Sequence, residues 1–353
     1  MKLTINQNTF MKKVLYYAAM LSLILFGFSC TKPGADRADN KPVDEKPSDS
    51  TPGDDTPGDD TPGDDTPGEP ELPKVETCSE NLVLWISFDN DNLIEKGEGL
   101  TFKENKGEAA IKTGFIGKGW TNNAKNNSTS AYSKFDVAQD NLFKKLDDMT
   151  FTVWVKNNKD YYKGGVVSLN GGRNESNPHD FPAFNVYLDN NNPVIVDEQE
   201  IPAQQVNGRF IMHDEMGNEQ NVWLDTNAPA FAIYDEWFQL GVTYELNTLK
   251  PVDPENPDGD KKTCATVMLY ANGQLVAERA FDPNIAFNNL VTEFADAFYV
   301  GAWSTFVEGH STQSWQSFWA GSIDEIRMYN KALSSEEISA LYKEELNINL
   351  EQE

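Results

Sequence analysis

Three short runs of this 353-residue chain set aromatic and hydrogen-bonding side chains opposite apolar ones. In Phe151–Lys156, Thr152, Trp154 and Lys156 alternate with Phe151, Val153 and Val155. In Phe238–Leu246, Gln239, Gly241, Thr243 and Glu245 alternate with Phe238, Leu240, Val242 and Tyr244. In Phe298–Trp303, Tyr299, Gly301 and Trp303 alternate with Phe298, Val300 and Ala302. Strand residues point to opposite faces in turn, so each apolar set belongs in a core and the other set on a sheet's outer face. An indole or phenol ring covers the C–H face of a sugar, while an amide or carboxylate reaches its hydroxyls. Trp154, Trp303, Tyr299, Gln239 and Glu245 are therefore the candidate glycan-binding residues, with Tyr270 nearby. The same aromatics make a second small core instead if the region between Asn170 and Glu236 folds over them. Trp315 and Trp319, flanking Gln316-Ser317-Phe318, either line a loop-built site or pack.

Other arrangements of reactive side chains point away from catalysis. Asp324 and Glu325 are adjacent in Ile323–Tyr329, so strict alternation sends them to opposite faces and removes an acid–base pair. It puts Asp324 on the side of Ile326 and Met328, and leaves Glu325 exposed or paired with Arg327. There is no Gly-x-Ser-x-Gly elbow. His179, His213 and His310 are too dispersed for a zinc site. Of the three cysteines, Cys30 falls in the N-terminal leader. Cys78 and Cys264 are then a disulfide or two free thiols, and an exported chain permits the bridge.

Positioning the runs requires strands. Period-two patterns broken by Gly, Asn, Asp and Pro predict strands at Leu82–Phe88, Phe151–Val155, Gly165–Leu169, Phe184–Leu188, Phe238–Leu246, Cys264–Ala271, Gln274–Phe281, Phe298–Trp303 and Ile323–Tyr329. Asn272-Gly273 supplies the two positive-φ positions of a type I′ hairpin. One helix is expected, over Leu333–Tyr342. Ser334 and Glu337 form its capping box, Leu333 and Ile338 its hydrophobic staple, and Ile338, Leu341 and Tyr342 its apolar stripe. The fold class is all-β, two packed sheets closed by a short C-terminal helix.

The N-terminal 76 residues are of another kind. Two lysines, an apolar run and small residues from Met11 to Cys30 read as a secretory signal over residues 1–29, with Met11 the better start. The ending Leu25-Phe-Gly-Phe-Ser-Cys30 resembles a lipoprotein lipobox, which implies acylation of Cys30 and attachment to a membrane through lipid alone. Residues 30–76 form a tether in which TPGDD occurs three times between Thr51 and Asp65. Proline every fifth residue blocks regular structure, and paired aspartates keep the chain solvated. The remaining residues, 77–353, carry 42 acidic against 21 basic side chains. Such a surface repels nucleic acid and anionic lipid, leaving neutral glycans, cations and basic partners.

A family resemblance follows from motifs spread along residues 77–353. Leu84-Trp-Ile-Ser-Phe-Asp89, Gly114-Phe-Ile-Gly-Lys-Gly119, Trp237-Phe-Gln-Leu-Gly-Val-Thr-Tyr244 and Gly321-Ser-Ile-Asp-Glu-Ile-Arg-Met-Tyr-Asn330 occur in order. They resemble the laminin-G-like branch of the concanavalin A-like lectin/glucanase superfamily, in the form found in surface lipoproteins of Bacteroidota. The resemblance implies a jelly-roll sandwich of two antiparallel sheets, often with a structural Ca2+ near the ends of the first and last strands. Asp89, Asp91 and Asp324 are the oxygens placed to share such an ion; Asp324 accepting backbone N–H bonds is the alternative. Related hydrolases carry a Glu-x-Asp-x-(x)-Glu strand, which this chain lacks. An insertion at about 172–236, with added strands near Pro193–Ile201, Arg209–His213 and Val222–Leu224, is longer than the family's usual connection. The functional expectation is a non-catalytic, carbohydrate-binding lipoprotein of the outer membrane, on the cell surface more than the periplasmic side. Its partners would be polysaccharide or glycoconjugate and outer-membrane glycan-import proteins. An adhesion or structural module binding proteins is the alternative, and an unrecognised glycosidase or lyase a third reading.

Overall fold

The computed structural model describes residues 74–161, 163–171, 182–189, 191–196, 198–214, 216–217, 219–251, 256, 258–281, 287–311 and 316–352. The signal segment, Cys30, most of the tether and Trp315 lie outside the described residues. Strands run in chain order β1 (Leu82–Ile86), β2 (Ile94–Gly97), β3 (Leu100–Gly107), β4 (Ala109–Thr113), β5 (Lys118–Asn122) and β6 (Ala131–Val137). There follow β7 (Met149–Lys156), β8 (Gly164–Leu169), β9 (Phe184–Leu188), β10 (Val194–Val196), β11 (Gln199–Ile201), β12 (Gln204–Asp214) and β13 (Glu219–Ala228). The last are β14 (Trp237–Pro251), β15 (Lys261–Ala271), β16 (Gln274–Ala280), β17 (Phe287–Leu290), β18 (Ala297–Val300) and β19 (Ser322–Tyr329). A short helix α1 (Ser304–Val307) precedes β19, and α2 (Ser335–Gln352) ends the described chain.

The strands form a sandwich of two antiparallel sheets, as the alternation predicts, in the jelly-roll arrangement that the resemblance implies. The first sheet runs β16-β15-β14-β7-β19-β1-β2, with β5 also on β19 and β4 on β5. The second runs β13-β12-β9-β8-β18-β6-β3, with β17 on β12. Phe151 of β7 meets Phe184 of β9 edge to face at 5.3 Å, and Tyr244 of β14 meets Phe210 of β12 at 5.4 Å. These contacts cross between the sheets, and the residues belong to one continuous apolar core. The expected insertion strands are present: β12 and β13 extend the second sheet, and β10–β11 is a separate hairpin. Asn272 and Gly273 both take positive φ, 49° and 74°, in the β15–β16 turn.

Two expectations of alternation fail, each for a local backbone reason. The strand expected over Phe298–Trp303 stops at Val300. Gly301 takes φ +81°, and a Cβ there would fall 2.4 Å from the Trp120 ring. Trp303 consequently leads into α1 rather than facing outward from a strand. In β19 the register against β7 shifts between Asp324 and Arg327, with Glu325 at φ 50°. This bulge adds one residue to the strand. Ile323, Ile326 and Met328 enter the core, while Asp324 and Arg327 sit opposite Trp154 and Thr152. Asp324 and Glu325 thus share the sheet's outer side rather than dividing between faces, and Asp324 does not share a side with Ile326 and Met328.

The helix begins as the capping box predicts. Glu337 N–H donates to Ser334 Oγ at 3.2 Å, and Ser334 N–H donates to the Glu337 carboxylate at 2.8 Å. It then continues ten residues beyond Tyr342. Ile338, Leu341, Glu345 and Ile348 are its buried positions, an inward stripe in which a carboxylate occupies the third place.

Candidate functional site

Of the residues expected to form an open sugar-binding face, Trp154 and Gln239 lie under α2, and Tyr299 and Trp303 on the second-sheet side. Trp154 is 2% exposed, Gln239 1%, Tyr299 2% and Trp303 0%. Trp154 stacks on Phe115 at 3.5 Å and on Tyr342 of α2 at 5.6 Å. Its indole N–H donates to Glu345 Oε2 at 2.6 Å, and Gln239 Nε2 donates to the same oxygen at 2.6 Å. Tyr299 and Trp303 belong to the other side of the sandwich. Tyr299 O–H donates to Glu308 at 3.0 Å, and the Trp303 ring packs 4.4 Å from that of Tyr187. Burial holds the Tyr299 phenol far above its ordinary range, with Glu308 adding to the effect. Glu245, half-buried, accepts from Thr248 Oγ1 at 2.8 Å and lines a separate groove with Tyr270 and Lys331. The five residues form no common site.

Beneath α2 the outer face holds a buried charge cluster. Arg327 is 2% exposed, and its guanidinium lies between the carboxylates of Glu325 and Glu345. The Trp85 ring stacks 4.8 Å from that guanidinium, and Trp85 N–H donates to Glu325 at 2.9 Å. Burial pushes Glu325 up to about 7, against the opposing pull of Arg327.

The expected calcium set is also divided. Asp324 Oδ2 accepts N–H bonds from Phe115 at 2.7 Å and Ile116 at 3.0 Å, and Oδ1 accepts from Glu325 N–H at 2.8 Å. The Gly114–Gly119 motif makes this possible, since a Cβ on Gly114 would come within 2.3 Å of Oδ2. Burial and the neighbouring Glu325 raise Asp324 well above its ordinary value despite those N–H bonds. Asp89 Oδ1 accepts from Lys118 N–H at 2.7 Å, and Asp91 is exposed. N–H dipoles aimed at both Asp324 oxygens are the electrostatic opposite of what a cation needs, so these residues do not fit a shared Ca2+. The expected result of adding a chelator is an unchanged melting temperature; a fall on chelation, restored by Ca2+, would contradict the geometry.

Cys78 and Cys264 are free thiols. Cys78, in left-handed backbone at φ 57°, packs against the Tyr329, Leu333 and Ile338 cluster. Cys264 is buried in β15 opposite Thr248. The bridge left open by the sequence is not formed.

At one end of the first sheet's outer face lies a groove of about 300 Å³. Register builds it. Trp237 of β14 pairs with Lys156 of β7, Lys156 with Ser322 of β19, and Ser322 with Thr121 of β5. Their neighbours Phe238, Val155, Ile323 and Trp120 enter the core, so these four side chains stand outward in a row with steps of about 4.8 Å. Asn157, following Lys156, Asp235, preceding the strand of Trp237, and Lys112 and Lys125 complete its lining, and Asn158 Nδ2 donates to the Lys125 carbonyl at 3.4 Å. Asp235 N–H donates to the Asn157 carbonyl at 2.8 Å, which fixes the two loops together. The Asn157 side chain is 0% exposed, and neither its amide nitrogen nor its oxygen has a hydrogen-bond partner among the described residues. Leaving a buried polar group unpaired costs about 1–3 kcal/mol, a cost that a buried water or a bound group reaching the amide would remove. Trp237 is only half-buried and offers ring surface beside it. The sequence contained both residues, but Asn157 reads as a turn residue and Trp237 as the start of a strand. Their meeting depends on pairing between strands 80 residues apart.

Comparison with known proteins bears on the fold. The Laminin_G_3 family model, described as the Concanavalin A-like lectin/glucanases superfamily, matches residues 258–339. No curated protein matches the chain. Among solved structures, the botulinum neurotoxin serotype D binding domain is 12% identical, with 75% of this chain and 52% of that one covered and a TM-score of 0.42. The binding domain of Paraclostridial Mosquitocidal Protein 1 is 15% identical, covering 74% and 52%, at a TM-score of 0.41. The serotype D ligand binding domain in complex with N-acetylneuraminic acid is 10% identical, covering 75% and 51%, at 0.42. The chain spans about half the length of the structures it matches.

Proposed function

We propose that the chain is a carbohydrate-binding module, anchored through Cys30 to the outer membrane and presented at the cell surface on its 30–76 tether. The glycan binds in the groove beside Trp237 and is not cleaved. The unpartnered Asn157 amide carries this reading. An amide offers both a donor and acceptors, which suits sugar hydroxyls, and Trp237 adds the apolar plane that covers ring C–H groups. The row of Lys156, Ser322 and Thr121 provides further polar groups at strand spacing. Hydrolysis of a glycosidic bond by the two-carboxylate route needs a pair of acids across the scissile bond; among the described residues the groove is lined by one carboxylate, Asp235. Capture for an outer-membrane glycan importer is the role that follows.

Two substitutions test it by affinity electrophoresis of the full-length protein in gels containing a panel of polysaccharides. Trp237→Ala is expected to weaken retardation by about thirtyfold, roughly 2 kcal/mol. Asn157→Leu is expected to abolish it while leaving the melting temperature unchanged or higher, because an unsatisfied buried amide is exchanged for an apolar group of similar size. A normal binder with either change, or an Asn157→Leu protein that unfolds more easily, would show that the amide serves the fold instead.

A further inference from the structure

We propose that the groove selects an anionic glycan, one bearing carboxylate or sulfate groups. This rests on the carbohydrate reading of the groove. Lys112, Lys125 and Lys156 all line it, against one acid, Asp235, among the described residues. Lys112 comes from β4, Lys125 from the turn after β5 and Lys156 from the end of β7, so three separate segments converge on one cleft. The chain as a whole carries a formal charge of −27, which makes a local excess of cations the exception on this surface. Some lysines elsewhere pair with acids, as Lys103 does with Asp136 at 3.1 Å, Lys145 with Glu98 at 2.8 Å and Lys163 with Asp189 at 3.3 Å; what sets Lys112, Lys125 and Lys156 apart is that they converge on one cleft. The ammonium groups of Lys112, Lys125 and Lys156 have no ion-pair or hydrogen-bond partner among the described residues.

Distance decides between the global and the local charge. Screening acts over about 8 Å at physiological ionic strength, so a sugar in the groove responds to the lining lysines more than to acids across the domain. Remote carboxylates slow the approach of a polyanion; the lysines hold it once seated. Asn157 and Trp237 would engage any hydroxylated ring, which leaves the lysines as the discriminating element. This refines the expectation from net charge, which favoured neutral glycans.

The test is affinity electrophoresis of the full-length protein with two matched pairs: polygalacturonate against its methyl ester, and dextran sulfate against dextran. The expected result is retardation by the acidic member of at least one pair, with the neutral member weaker by about tenfold. Which pair responds distinguishes carboxylate from sulfate. The triple variant Lys112→Gln, Lys125→Gln, Lys156→Gln is expected to lose about tenfold. Lys103→Gln, the same kind of charge change on the other sheet, is expected to bind normally. Equal retardation by acidic and neutral members, lost in Trp237→Ala but kept in the triple variant, overturns charge selection and leaves the carbohydrate reading intact. Failure of all four polymers and of a neutral panel overturns both.

Discussion

Replacing Arg327 with alanine is expected to destabilise the domain by about 3–5 kcal/mol, read as a lowered urea midpoint followed by circular dichroism. Arg327 is the cation in a fully buried cluster that also contains Asp324, Glu325 and Glu345. Its removal leaves Glu325 and Glu345 facing one another in a low-dielectric site with no compensating charge. Small domains are stable by only about 5–15 kcal/mol, so the loss is a large share of the total. The triad Arg327→Met, Glu325→Gln, Glu345→Gln separates charge from packing. Replacing all members of a buried ion network is often close to neutral, and an amide oxygen at 345 still accepts from Trp154 and Gln239. Recovery of most of the lost stability is therefore expected. A single Arg327→Ala variant within about 1 kcal/mol of the parent would mean that water reaches the cluster.

The same cluster explains how α2 comes to cover the sheet. Its inward stripe mixes three apolar residues with Glu345, and helices in proteins are held chiefly by such tertiary contacts. Glu345 accepts from Trp154 and Gln239 on two neighbouring strands while facing Arg327 on a third. Glu344, one residue earlier, accepts N–H bonds from Glu76 at 2.8 Å and Thr77 at 2.9 Å. At its far end Gln352 accepts from Gly117 N–H at 3.1 Å. The helix is thus laced to both ends of the face, and Trp154 and Gln239 are its docking partners rather than ligands for sugar.

How much of this was legible follows from where the information lies. Strands with apolar–polar alternation, such as β7, β9 and β14, were readable because one face enters the core, and the Asn272-Gly273 turn and the Ser334–Glu337 box are local chemistry. The strands between Ile94 and Val137 went unpredicted. Lys, Glu and Asn dominate β3, whose positions are largely exposed, so no apolar period marks it; β6 does alternate, with Ala131, Phe135 and Val137 inward, but Ser133 in that row weakens the apolar period. The helix was read ten residues short because Glu345 interrupts its apolar stripe, and a buried carboxylate resembles a solvated one in sequence. The bulge at Glu325 was invisible for a sharper reason: one inserted residue reverses every face assignment beyond it. The groove was illegible because its row crosses β14, β7, β19 and β5, and only pairing register sets Trp237, Lys156, Ser322 and Thr121 side by side.

Stability should also fall as pH rises toward neutrality, opposite to ordinary acid denaturation. Burial raises Glu325 from its ordinary 4.5 to about 7 in the folded protein, with Arg327 opposing the rise. Between those values the folded state keeps a proton that the unfolded chain has released, so stability decreases with pH across that window. Below it both states are protonated and the contribution is fully present; above about pH 7 it is lost. Asp324, raised by burial and by Glu325, acts in the same direction. Two surface acids act oppositely at lower pH. Glu337 is held down by the hydrogen bond from Lys331. Burial pushes Glu344 up, but the N–H bonds from Glu76 and Thr77 leave it below its ordinary value. Their stabilisation disappears as pH falls through the carboxylate range, so the two effects occupy different windows. Glu325→Gln isolates the buried group. Between about pH 5 and about pH 8 the parent is expected to lose up to roughly 3 kcal/mol relative to Glu325→Gln. Parallel urea midpoints for the two proteins across that range would place the Glu325 charge in contact with solvent and remove the basis for the Arg327 prediction as well.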